Sequence, residues 1–328
     1  MAFNFKKKSR VLFLCVGVFL SCARGAWALD KTTSLALTHY IMGSVYEGRG
    51  DIDKAIQEYQ QAAKADSSST AIHMNLAAAY IKKNDLPKAA EELQAAIQLD
   101  PEAVEPHLIL SLVYSTEGKK EQSAGEYEAA LKNASKLSPE NIDIYKSLGA
   151  LYIQQKKFKD AENAFKLVLG LSSADAQAHF YLGSIYNELN NDVLARQELR
   201  RAIELKPDYH EALNYLGYLY VDAGNNLDKA AAMIRKALEL DPNNGAYVDS
   251  LGWFYFKKGK YKEAVKELER AASLLEDPVI YEHLGDVSLK LKDQARAKIN
   301  WQKSLGLDPA QDKVKKKLEG LDGKTPGK

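Results

Sequence analysis

A block of about 34 residues recurs eight times between residues 36 and 311, and a chain built this way has few ways to fold. The blocks run 36–69, 70–103, 104–141, 142–175, 176–209, 210–244, 245–277 and 278–311. The eighth residue is always small: Gly43, Ala77, Ser111, Gly149, Gly183, Gly217, Gly252 and Gly285. The eleventh is Tyr46, Tyr80, Tyr114, Tyr152, Tyr186, Tyr220, Tyr255 and then Ser288. The twentieth is Ala, except Ser123, and the twenty-fourth is large: Tyr59, Leu93, Tyr127, Phe165, Leu199, Ile234, Leu268 and Trp301. In the block from Gly245, Leu251, Gly252 and Tyr255 share one helical face, Gly259 breaks the pattern, and Ala264, Leu268 and Ala271 share the next face. Small residues let two antiparallel helices cross closely, and the large ones fill the space beside the crossing. Pro101, Pro207, Pro242 and Pro309 close second helices, which proline cannot continue. One such hairpin cannot bury its apolar face alone, but stacked copies can.

This pattern resembles the tetratricopeptide repeat, and the resemblance covers residues 36–311. It implies an all-α chain, a right-handed α-solenoid of about eight helix hairpins. Residues 312–321 read as a C-terminal capping helix with Val314, Leu318 and Leu321 facing back, followed by a polar tail at 322–328. The cluster of Lys313, Lys315, Lys316 and Lys317 is expected on that helix's solvated face. Extra residues around Ser135–Pro139 predict a longer turn, and one more at Asn225–Leu227 a longer loop between helices.

The N-terminus differs in kind. Lys6, Lys7, Lys8 and Arg10 precede an apolar run from Val11 to Ala23, and Ala26-Trp27-Ala28 has the small-x-small form of a cleavage site. Residues 1–28 are therefore expected to be an export signal, with a linker at 29–35. Cleavage would leave 40 Lys and Arg against 44 Asp and Glu and would remove both cysteines, Cys15 and Cys22. The mature chain would then form no disulfide and no thiolate site. A loose lipobox at Val18–Cys22 keeps a second outcome open, a lipid on Cys22 and anchorage to the outer membrane rather than a soluble periplasmic protein.

Known chemistry is sparse. The sequence has no G-x-S-x-G, phosphate-binding loop or EF-hand spacing, and its charge of +1 gives no argument for nucleic acid. His39, His73, His107 and His179 hold the fourth position of their blocks, one per hairpin, and read as packing residues with a polar edge. His210-Glu211 lacks the second histidine of the zinc-protease motif. No catalytic group, metal or cofactor is expected. A hydrolase hidden among groove carboxylates is the competing reading, with Asp249 and Glu282 its test positions.

The resemblance implies a concave face lined by the first helices, where family members hold extended or helical peptides. Positions 2, 5, 9 and 12 of a first helix would point into it. The last four blocks would present Phe180, Tyr218, Trp253 and Phe256 there, with Asn187, Asn214, Asp249, Glu282 and Asp286 among them. Aromatic anchors beside amide and acid groups suit a peptide-binding hot spot, and acidity favours a neutral or basic segment. The competing reading is packing between repeats. Met74, Ala78, Ile81, Leu108 and Leu112 make the first half apolar, which leaves self-association open. The carboxylate clamp of chaperone-binding members is absent, since Lys146 alone does not form it. The last three blocks further resemble exported envelope proteins of Gram-negative bacteria. That resemblance implies a non-catalytic protein-interaction scaffold, or an adaptor for a periplasmic protease or for an assembly or polysaccharide export machine.

Overall fold

The structure, a computed structural model, describes residues 31–322. These residues form seventeen α-helices and no strand. The expected export signal, Cys22 and most of the polar tail lie outside them. No helix among the described residues is long and apolar enough to cross a membrane.

The chain divides into two compact units, Met1–Ala130 and Leu131–Lys328. The first contains α1 (Lys31–Gly48), α2 (Ile52–Ala65), α3 (Thr70–Lys82), α4 (Leu86–Leu99) and α5 (Val104–Thr116), and the division falls within α6 (Lys120–Leu137). The second contains α7 (Ile142–Gln154), α8 (Phe158–Leu171), α9 (Ala176–Glu188), α10 (Asp192–Leu205), α11 (His210–Asp222) and α12 (Leu227–Leu240). It continues with α13 (Gly245–Lys257), α14 (Tyr261–Leu274), α15 (Pro278–Lys290), α16 (Gln294–Leu307) and α17 (Asp312–Asp322). Within each unit, helices pack mainly on their chain neighbours. In the second, α11 also meets α13, and α13 meets α15.

The small and large positions meet as the spacing predicts. A Cβ placed on Gly43 or Gly149 would come within 2.5 Å of the Tyr59 or Phe165 ring. Gly183, Gly217, Gly252 and Gly285 face Leu199, Ile234, Leu268 and Trp301 in the same way. All six large partners are essentially fully buried. Sequence neighbours three and four apart build each apolar stripe, and the absent Cβ lets the second stripe close on the first.

The same closure joins the two helices of each hairpin, and the sixth carries one residue more, Asn226, before its second helix, as expected. The residue after the C-cap takes positive φ, as at Asn84, Lys156, Asn190, Lys292 and Gly259. The next N–H then donates back to the carbonyl of the eleventh residue, as in Asp85 N to Tyr80 O (2.9 Å) and Lys260 N to Tyr255 O (2.9 Å). This closure satisfies carbonyls that the helix end would leave open.

Three local expectations are corrected. Residues 31–35 are helix, not linker: no glycine or proline interrupts the run, and Ala36 is anchored against Ala62 and Ile72. The four extra residues of the third block lengthen α6 to 18 residues instead of its turn. Four residues are close to one helical turn, so the apolar stripe keeps its phase. Asp322, expected in the tail, closes α17. As expected, α17 lays Val314 on Trp301, with Leu318 and Leu321 beside it.

Candidate functional site

The residues expected to line a groove do not share one surface. Some belong to a buried stack. Asp249 on α13 accepts hydrogen bonds from His283 Nδ1 on α15 at both carboxylate oxygens, 2.9 and 3.1 Å away. Both side chains are buried. Trp253 lies nearly parallel to the His283 ring at 4.0 Å and to Phe256 at 4.5 Å. Its Nε1 donates to Asp222 Oδ1 at 3.3 Å, and Lys257 Nζ stands 5.0 Å above the indole. Burial alone pulls the His283 imidazolium down. The Asp249 charge and hydrogen bond, with Glu282 and Asp286 behind, push it up, and the net direction is up. Trp253 is 7% exposed, so this expected anchor is a packing residue instead. The indole stacks on the imidazole of this ion pair and on the Phe256 ring.

Glu282 and Asp286 are also engaged. Lys317 Nζ donates to Glu282 Oε1 (2.6 Å) and Asp286 Oδ2 (2.8 Å). Asp286 Oδ1 accepts from Trp301 Nε1 at 3.1 Å. Lys317, expected in solvent, thus ties the capping helix to α15. Lysine's flexible stem lets the ammonium reach two carboxylates at once.

Others meet at an opening. Asn214, Tyr215 and Tyr218 from α11, Asp249 and Ser250 from α13, and Asp277 at the entry to α15 line one cleft of about 260 Å³. Asn214 is buried, and its Oδ1 accepts no hydrogen bond. The Tyr218 hydroxyl is held protonated by burial first, then by the charges of Asp222, Asp249 and Glu282. Phe180 stands outside this cleft, half-buried among Tyr181, Tyr209 and Tyr215 at 5.4, 5.2 and 6.3 Å. Burial raises the pKa of the Tyr215 hydroxyl, and Ser184 and Asn187 near it oppose that rise. Of nine expected groove residues, three meet in the cleft: Asn214, Tyr218 and Asp249.

Sequence reasoning missed His283, Tyr215 and Asp277. His283 lies 34 residues after Asp249, one repeat on, and that spacing was the available signal. It also missed a recurrent pair within hairpins. His39, His73, His107 and His179 each place Nδ1 2.6–2.7 Å from a glutamate 19 residues later: Glu58, Glu92, Glu126 and Glu198. Lys146, weighed for a clamp, pairs with Asp175 at 2.6 Å. In the first unit, Leu108 and Leu112 are exposed, while Met74 and Ile81 pack against buried neighbours. Among the described residues no three metal-ligating side chains gather.

Residues 23–251 match the family described as the cilia and flagella-associated protein 70 C-terminal domain, and residues 249–277 match the tetratricopeptide repeat. No curated protein matches. Among solved structures, a tetratricopeptide repeat protein from Parabacteroides merdae is similar at TM-score 0.60 and 20% identity, over 77% of this chain and 98% of that one. The Cut9–Hcn1 complex of the APC/C is similar at 0.57 and 18% identity, over 89% of this chain and 54% of that one. PilW, a type IV pilus biogenesis factor, is similar at 0.52 and 16% identity, over 66% and 98%. At these identities the likeness speaks to the fold.

Proposed function

The chain belongs to the tetratricopeptide-repeat family represented by that C-terminal domain, and from this premise we propose that it is a non-catalytic protein-interaction scaffold that holds a segment of a partner protein. The segment lies on the first-helix face of the second unit, across α11, α13 and α15. One observation carries the reading: Asn214, Tyr218 and Asp249, from two first helices, converge on one open cleft beside an otherwise satisfied polar network. Buried polar groups are mostly hydrogen-bonded; among the described residues Asn214 Oδ1, Gln155 Oε1 and Glu117 Oε2 are not, and Asn214 is the one of the three that borders the cleft.

The place of action we propose is the bacterial envelope. The basic start, apolar run and Ala26-Trp27-Ala28 site support export. Intact mass of the mature protein distinguishes a start after Ala28 from an acylated Cys22. The scaffold reading is tested by a photo-crosslinking residue placed at Val279, on the exposed rim of the cleft, with Lys266 on the exposed side of α14 as control. A protein joined to position 279 only, and lost in an Asn214→Ala/Tyr218→Ala variant that keeps its helical circular dichroism, is the expected result. Identical products from both positions would overturn it.

A further inference from the structure

We propose that the cleft between α11, α13 and the entry to α15 receives a basic side chain, arginine or lysine, of the partner segment; this rests on the segment-binding reading above. Its walls set the chemistry. Tyr215, Tyr218, Asn214, Ser250, Asp249 and Asp277 line it beside four apolar residues, and no Lys, Arg or His does. Asp249 already binds His283, and Asp277 Oδ1 accepts from Val279 N.

Asn214 is the decisive wall. It is nine-tenths buried, borders the opening, and leaves Oδ1 without a donor. Folded chains rarely leave a buried carboxamide oxygen unpaired; of the two here, Gln155 and Asn214, only Asn214 borders this cleft. The terminal amide torsion is soft, so this oxygen can turn toward a donor entering the cleft. The neighbouring cations do not supply that donor, because each is engaged. His283 is held by Asp249, Lys317 by Glu282 and Asp286, and Lys257 donates to the Asp222 carbonyl at 2.9 Å.

The surroundings hold more acid than base. Asp222, Asp249, Asp277, Glu282 and Asp286 stand against Lys257, His283 and Lys317. An acidic side chain would meet this excess head-on. An apolar one would leave Asn214 unpaired and strip water from Asp277. A guanidinium or ammonium supplies several N–H donors, offsets the charge and can lie on a tyrosine face.

The test uses the full chain and capped peptide libraries that differ at one fixed central residue: arginine, its neutral isostere citrulline, leucine or glutamate. Binding is read by fluorescence anisotropy at low and high salt. The arginine library should bind about tenfold more tightly than the citrulline one, with the preference shrinking in salt. Asn214→Leu should abolish the preference. Asp277→Asn keeps a helix cap but removes a charge, and should weaken arginine binding about threefold. This variant and the citrulline comparison decide the matter even if Asn214→Leu misfolds. Equal binding of arginine and citrulline peptides would overturn the basic-side-chain assignment and leave the segment-binding reading intact. No saturable binding by any library up to about 1 mM would overturn both.

Discussion

Substituting alanine for Gly285 adds one methyl group at the tightest crossing in the second unit. A Cβ there would overlap Cδ1 and Nε1 of the Trp301 indole, which is 1% exposed. The indole has little room to yield. Its Nε1 donates to the Glu282 carbonyl (3.3 Å) and Asp286 Oδ1 (3.1 Å), while Val314 of α17 packs against it. Two effects compete. Alanine is a better helix former than glycine by about 1 kcal/mol. Overpacking a closed core costs about 1–3 kcal/mol, and tilting the indole gives up a hydrogen bond of about 1 kcal/mol. The net expectation for Gly285→Ala is a loss of about 1–3 kcal/mol.

Gly125→Ala is the control. Gly125 lies inside α6 with no atom within 4 Å of its notional Cβ, so the propensity gain stands alone and should stabilise by about 1 kcal/mol. The same chemical change thus has opposite signs at two helical glycines. A repeat array need not unfold in one step, so local hydrogen exchange is the right assay. Amides of α15 and α16 should exchange about tenfold faster in Gly285→Ala, and those of α6 about fivefold slower in Gly125→Ala. Unchanged or increased protection of α15 and α16 in Gly285→Ala would refute the packing argument.

Three further outcomes are expected. His283 titrates higher folded than unfolded, so its contribution is full below about pH 6.5 and is lost as pH rises through the folded value. Urea midpoints across this range should fall toward alkaline pH, and an Asp249→Asn/His283→Gln pair should flatten the profile. Lys317→Met leaves Glu282 and Asp286 without their shared cation and should loosen α17 by about 1–2 kcal/mol; its amides should lose protection while those of α7 and α8 keep theirs. His179→Leu strands Glu198 at a cost of about 1 kcal/mol, and adding Glu198→Leu should recover most of it, as a double-mutant cycle in urea would read.

Much of this protein is legible in its sequence because so many of its contacts have fixed spacing. Gly285 and Trp301 occupy the eighth and twenty-fourth places of one block, and any hairpin with this turn brings them together. The tyrosine at the eleventh place marks the carbonyl that closes that turn. Even Val314, Leu318 and Leu321 declare a capping face by their intervals. The histidine–glutamate pairs were equally available, at a constant interval of 19 residues.

The site was less legible, because its contacts cross from one hairpin to the next. Helical periodicity places Trp253 and Asp249 on the first-helix face, but it does not say whether a neighbour covers them. The angle between α13 and α15 decides that, by laying His283 on both. A one-repeat rotation also carries Lys317 between Glu282 and Asp286 and turns expected groove acids into tethers for α17. The same geometry leaves Asn214, Tyr218 and Asp277 around an opening. The sequence determined the hairpins, since local spacing and steric fit within about 34 residues are enough to specify them. Only tertiary structure decided which polar groups are satisfied, because that depends on the crossing angle between helices a full repeat apart.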